Sequence, residues 1–214
     1  MDKMDWAVII AAVISFAASI ITIIKSEKIQ VNSAEFNRQL TDSQIKSLDK
    51  QRIVGNIGTQ RIEWVNKTRD VFVEYNTNLS NLSYINSIVN DDNLSEHFGE
   101  IKRLSFELKR LLNLVELLLN PMEPYTRFLL VNMSDANSMV IRGIVDNEKE
   151  SKFSDYITFT QNVILKAEWK RVKDETERGE FLNEVEMGKV FEEVGKDMNE
   201  DTHNLIMGKY RRLD

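Results

Sequence analysis

Two short stretches hold the residue types best suited to do chemistry in this chain. The first is Arg61-Ile62-Glu63-Trp64-Val65-Asn66-Lys67-Thr68-Arg69. The second is Leu165-Lys166-Ala167-Glu168-Trp169-Lys170-Arg171-Val172-Lys173. Each sets a Glu-Trp pair among basic residues. Guanidinium groups pair with carboxylates through forked hydrogen bonds, and an indole offers a broad apolar face with one polar edge. Two roles follow. In one, the tryptophans close the end of a helical core while Glu and Arg pair around them. In the other, Arg61, Glu63, Trp64, Arg69, Glu168, Trp169 and Arg171 form one interaction cluster for an anionic ligand, a lipid headgroup or a partner segment. Arg and Trp dominate binding hot spots. The first role is preferred, because charged groups flanking a buried aromatic are ordinary at a bundle end.

Other chemistry is thinly represented. The chain has no Cys, and its two histidines are His97 and His203. That composition excludes a structural zinc site, and both histidines are expected to be solvated. Gly55-Asn56-Ile57-Gly58 lacks the Gly-Lys-Ser/Thr that completes a phosphate loop, and no serine sits in a nucleophile elbow. Glu192, Glu193, Asp197, Glu200 and Asp201 lack the spacing of a calcium loop and read as a solvated acidic face. No catalytic residue, cofactor or metal is therefore expected, and the chain is not read as an enzyme.

The elements that must position the Glu-Trp stretches are helical. With two Pro and eight Gly in 214 residues, a turn-rich β protein is excluded, and 29% charged residues leave room for one sizeable helical domain. The net charge of −6 argues against a general affinity for nucleic acid. Residues 26–58 are polar with scattered apolar positions and read as a helical stalk, with a weak coiled-coil character, closed by the Gly55–Gly58 break. Ile62, Val65, Phe72, Tyr75, Leu79, Leu82 and Val89 then recur at helical steps, up to Asn90-Asp91-Asp92-Asn93. Leu94, Phe98, Ile101, Leu104, Leu108, Leu111, Val115 and Leu118 make a second stripe that stops at Asn120-Pro121. A third helix is expected over about 124–146, with an irregularity near Ser134–Asn137, and a fourth over about Ser154 to Glu177. Short connections favour antiparallel neighbours, so residues 59–178 read as an up-down-up-down four-helix bundle. Residues 179–214 are an acidic amphipathic helix, or a mobile tail. In this topology both Glu-Trp stretches lie at the end of the bundle nearest the stalk.

The segment ahead of the stalk has a different character. Trp6 to Ile24 reads WAVIIAAVISFAASIITII, without a charge, Gly or Pro. At about 1.5 Å per residue it spans roughly 28 Å, near the hydrocarbon thickness of a bilayer. The head MDKMD is not a basic n-region, and the apolar run continues past Ala17, Ala18 and Ser19, so residues 1–25 are read as an uncleaved transmembrane anchor rather than a signal peptide. Lys25, Lys28 and Arg38 follow the span, which orients the N-terminus outward and the remainder into the cytosol. Ala7, Ala11, Ser15 and Ser19 recur every four residues and form a candidate transmembrane pairing face for a homo-oligomer.

A resemblance joins these features. The pattern Arg61-Ile62-Glu63-Trp64-Val65, then Leu117-Leu118-Leu119-Asn120-Pro121, then Ile164 through Lys173 resembles a loose group of small single-pass bacterial and prophage proteins. The resemblance covers about residues 1–178. It implies a membrane-anchored, cytosolic helical domain, with phage exclusion or defence as its setting, and it carries no catalytic residue with it.

The expected fold is thus all-α: an N-terminal transmembrane helix, a helical stalk, an antiparallel four-helix bundle and a C-terminal amphipathic helix. The expected function is a single-pass interaction protein of the inner (cytoplasmic) membrane that recognises a protein partner. The alternative is an oligomerising membrane effector that permeabilises the bilayer. A single span without polar lining makes the alternative the weaker one.

Overall fold

From Lys3 to Arg52 the chain forms one unbroken helix, α1, of 50 residues. No Gly or Pro occurs before Gly55, so no residue in this stretch breaks the backbone ladder. A computed structural model of the chain describes residues 3–52, 55, 58–90 and 92–210, and within 3–24 it describes side chains at 10, 11, 16, 19 and 20 only. Among the described residues no helix is long and apolar enough to cross a membrane. The side chains of the Trp6–Ile24 run lie for the most part outside the described residues. Of the pairing face, Ala11 and Ser19 are described and exposed, while Ala7 and Ser15 lie outside. Every residue from Lys25 to Arg52 is exposed, including Ile29, Phe36, Leu40, Ile45 and Leu48.

The chain divides into two compact units, Met1–Arg52 and Ile53–Asp214. The second holds six helices among the described residues: α2 Gly58–Ile88, α3 Leu94–Leu118, α4 Pro124–Ile141, α5 Asn147–Arg178, α6 Glu184–Met198 and α7 Glu200–Tyr210. With α1 these make an all-helical chain, and no strand occurs among the described residues. α2 packs against α3, α4 and α5; α3 packs against α4, and α4 against α5; α6 lies on α5, and α7 on α6 and α4.

The connections follow from local chemistry. Asn90 Oδ1 accepts from the amides of Asp92 and Asn93, and Asn93 Oδ1 accepts from the Asn90 amide, which turns the chain out of α2. Pro124 opens α4, where a missing amide hydrogen costs nothing. α4 ends at Ile141, five residues before the expected boundary near 146, because Gly143 takes a positive φ of 67° and the Ile144 amide donates back to the Met139 carbonyl. α5 starts at Asn147 rather than near Ser154, because Asp146 caps it by accepting from the Lys149 amide at 3.1 Å. No irregularity occurs at Ser134–Asn137: Ala136 and Asn137 are buried in a regular helix.

The core joins α2 to α5. Tyr75, Leu82, Leu104, Leu108, Leu111, Val115, Leu129, Met133 and Ile164 are essentially inaccessible. At its centre the Tyr75 hydroxyl lies 3.0 Å from the Met133 carbonyl and 2.9 Å from Asn137 Oδ1, while Asn137 Nδ2 donates to the Leu108 carbonyl. These bonds tie α2, α3 and α4, and among the described residues no buried side-chain polar atom lacks a partner. The α3 stripe is buried only from Leu104 onward. Leu94 and Phe98, at its start, are exposed, because spacing picks the side of a helix but burial needs a neighbour.

Residues 179–210 are two docked helices. Asn183 and Glu186 form a reciprocal capping box at the start of α6, and Asn199 caps α7. Leu182, Met187, Val190, Phe191 and Ile206 join the core. His203 is not solvated: it is buried, with Nδ1 2.6 Å from the Tyr125 hydroxyl. His97 is half-buried rather than solvated.

Candidate functional site

The sequence placed seven residues in one Glu-Trp cluster; the fold distributes six of them over two clefts and leaves Glu63 outside both. Trp64 and Arg69 stand five positions apart on α2, about 140° around the helix, and Glu168 and Trp169 stand about 100° apart on α5. One member of each pair faces one side of the α2–α5 seam, and the other member faces the opposite side.

The first cleft, of about 510 Å³, is lined by Arg61, Trp64, Glu123, Glu168 and Arg171, with Leu118 and Phe191 supplying apolar wall. Trp64 Nε1 donates to the Leu118 carbonyl at 3.1 Å. The last carbonyls of a helix have no partner within it, so this bond closes the end of α3. Around the indole runs an ion-pair chain. Arg61 pairs with Glu175 Oε2. Arg171 reaches Glu175 Oε1 through Nε at 3.0 Å and Glu168 at 3.5 Å. The Leu182 amide also donates to Glu175 Oε1 at 3.0 Å. Glu175, only 4% exposed, therefore binds the start of α2, the end of α5 and the entry to α6 at once.

Two of these carboxyl groups depart from ordinary behaviour. Burial pushes the Glu168 carboxyl up, and the Arg171 and Arg61 guanidiniums offset part of the effect. Burial also pushes Glu123 up, the Glu168 carboxylate adds to this by repulsion, and Arg171 opposes it. The cleft thus brings two carboxyl groups, Glu123 and Glu168, together with two guanidiniums, Arg61 and Arg171, and Glu175 pairs with both guanidiniums. Among the described residues no group of three or more His, Asp or Glu side chains is arranged to hold a metal ion.

The second cleft lies on the other side of the seam and measures about 690 Å³. Arg69 and Trp169 belong here, together with Lys166, Lys170 and Lys173. Trp169 is 53% exposed. Arg69 donates to Asn66 Oδ1 at 2.9 Å, and Lys170 pairs with Glu193 of α6. Glu63 is exposed and lines neither cleft.

Sequence reasoning missed Glu175 and Glu123. Glu175 carries a readable signal, since it stands four residues after Arg171 and seven after Glu168 on the same helical face. Glu123 carries none, because its place depends on how the α3–α4 turn meets α5. The chain matches no family model, and no curated protein and no solved structure matches it.

Proposed function

We propose that this chain is a membrane-anchored interaction protein that presents a helical domain to a protein partner on the cytosolic side of the inner membrane. One observation carries the reading: the uncharged run from Trp6 to Ile24 lies inside the unbroken helix Lys3–Arg52, which is followed by a separately packed helical unit. A run of 19 uncharged, mostly apolar residues matches the bilayer core, and the cations after it, Lys25, Lys28 and Arg38, keep the following chain on the cytosolic side. In this reading α2 to α5 form an antiparallel four-helix bundle, supported by the packing of α2 on α3 and α5 and of α4 on both. α6 and α7 extend that bundle. Ala7, Ala11, Ser15 and Ser19 pair the spans of two copies. A setting in phage exclusion or defence follows the resemblance of the sequence to prophage proteins.

The test uses the full chain expressed in bacterial cells, with V13R/F16R as its comparison. Wild type stays in the membrane pellet through alkaline carbonate washing, and protease added to spheroplasts leaves residues 25–214 uncut. The V13R/F16R variant moves to the supernatant, because two arginines at the centre of a span cost about 5–7 kcal/mol on the insertion scale. Release of the wild-type chain by carbonate overturns the anchor, and cleavage of the C-terminal unit in spheroplasts overturns the orientation.

A further inference from the structure

The second cleft combines features that the ion-paired first cleft lacks. Its walls are regular faces of two helices: positions 62, 66 and 69 of α2, and positions spaced by three and four from 162 to 174 of α5. The α5 wall is about 18 Å long, which matches three turns of a helix. Ile62 and Leu165 make a half-buried apolar floor, and the Trp169 indole stands exposed beside it. Arg69, Lys166, Lys170 and Lys173 stand around that floor, against one lining carboxylate, Asp174. Lys170 pairs with Glu193 of α6, whereas among the described residues Lys166 has no ion-pair partner and Lys173 has only a long contact of 3.9 Å to Glu177. This local cation excess occurs on a chain whose net charge is −6.

We propose that this cleft binds an acidic amphipathic helix of a partner protein, about three turns long, with its aliphatic side chains on Ile62, Leu165 and Trp169 and its carboxylates on Arg69, Lys166, Lys170 and Lys173. A groove between two helices is the shape that receives a third, and an apolar floor with a cationic rim is complementary to a helix with an aliphatic stripe and acidic flanks. An exposed Trp next to Arg and Lys is also the composition of an interface hot spot. A flat membrane surface would meet the rim but not the recessed floor. A long polyanion would extend beyond the cleft into the field of an acidic chain, whereas a short segment meets mainly the local charge, because screening limits the reach to about 8–10 Å. The proposal deepens the interaction reading above and takes from it only that the partner is a protein.

The test places the full chain in phosphatidylcholine nanodiscs and titrates it against a fluorescein-labelled synthetic helix of three Glu-rich turns with Leu at positions i, i+4 and i+7, read by anisotropy. Saturable binding is expected, weakened at least tenfold in W169A and in K166E/K173E, and unchanged in K102E/K109E, which alters the α3 surface by the same charge. All of these positions are exposed, and thermal melts confirm equal folding. The proposal is overturned by an absence of binding, by wild-type affinity in W169A and K166E/K173E, or by equal weakening in the α3 control. Tighter binding of a twenty-nucleotide oligothymidylate or of phosphatidylglycerol vesicles, lost in the same variants, also overturns it and assigns the cleft to a nucleic acid or to the membrane. Peptide binding by a chain that carbonate releases would keep the cleft and remove the anchor.

Discussion

The Tyr125 hydroxyl and His203 Nδ1 lie 2.6 Å apart in the interior, joining the first turn of α4 to α7. Both side chains are almost fully buried, and Tyr125 also stacks on Phe191 of α6 at 5.7 Å. This pair is a buried polar fastening of α7 onto α4. Replacing His203 with Ala removes the partner of a buried hydroxyl, which costs about 1–3 kcal/mol. H203A should therefore lower the urea midpoint and raise amide exchange selectively in α7. Y125F should cost a similar amount, because it takes this partner from the buried His203 Nδ1.

Gly195 of α6 is the counterpart of that fastening. A Cβ at this position would lie 1.8 Å from the Tyr125 hydroxyl oxygen and 2.9 Å from His203 Nδ1. The clash overrides the helix-propensity gain that Ala normally brings. G195A should destabilise by about 1–3 kcal/mol, the usual cost of overpacking. Removing the hydroxyl should relieve the closest of these contacts, so G195A/Y125F should unfold at a higher urea concentration than G195A alone. Equal midpoints for the two would show that the clash lies elsewhere.

Glu175 holds more structure than any residue of the original Glu-Trp cluster. Its carboxylate serves Arg61, Arg171 and the Leu182 amide, so E175A leaves two guanidiniums and an amide without their acceptor. Breaking a buried pair on one side costs about 3–5 kcal/mol, and the partial exposure of Arg61 and Arg171 places this case near the lower end. Chemical unfolding of E175A should show a loss of about 3 kcal/mol. Trp169→Ala, on an exposed side chain, should change stability by no more than about 0.5 kcal/mol in the same assay.

Glu123 makes the first cleft sensitive to pH. Burial and the neighbouring Glu168 raise its carboxyl above the ordinary value, so the folded state binds this proton more tightly than the unfolded chain does. Its contribution to stability is present below the unfolded pKa, near 4.5, and is lost as pH rises through the higher folded value. E123Q removes the charge with little change of shape. It should melt above wild type at pH 7, and the gap should close as pH approaches 4. A gap that stays constant across this range would show that ionisation of Glu123 is not the cause.

Much of the architecture was legible in the residues. Helix-spaced Leu, Ile and Val marked α2 and α3, and Asn90–Asn93 and Asn120-Pro121 marked their ends; the anchor over 1–25 and the stalk over 26–58 were each read as helical, and Lys3–Arg52 is one helix. These are local determinants: backbone freedom, caps and periodicity act within a few residues. Boundaries were missed where a single residue decided them, at Gly143 with its positive φ and at Asp146 with its cap.

Tertiary structure decided the rest, because sequence spacing gives the face on which a residue lies but not what meets that face. Two similar Glu-Trp stretches suggested one cluster. Packing α2 against α5 turned Trp64 and Glu168 to one side, and Arg69 and Trp169 to the other. His203 looks solvated in an acidic stretch and is buried because α7 folds back onto Tyr125. Glu175 looks like one more surface carboxylate and becomes the junction of three elements, because α2, the end of α5 and the entry to α6 converge there. Long-range convergence of this kind depends on how whole helices pack, and no single stretch of the chain encodes it.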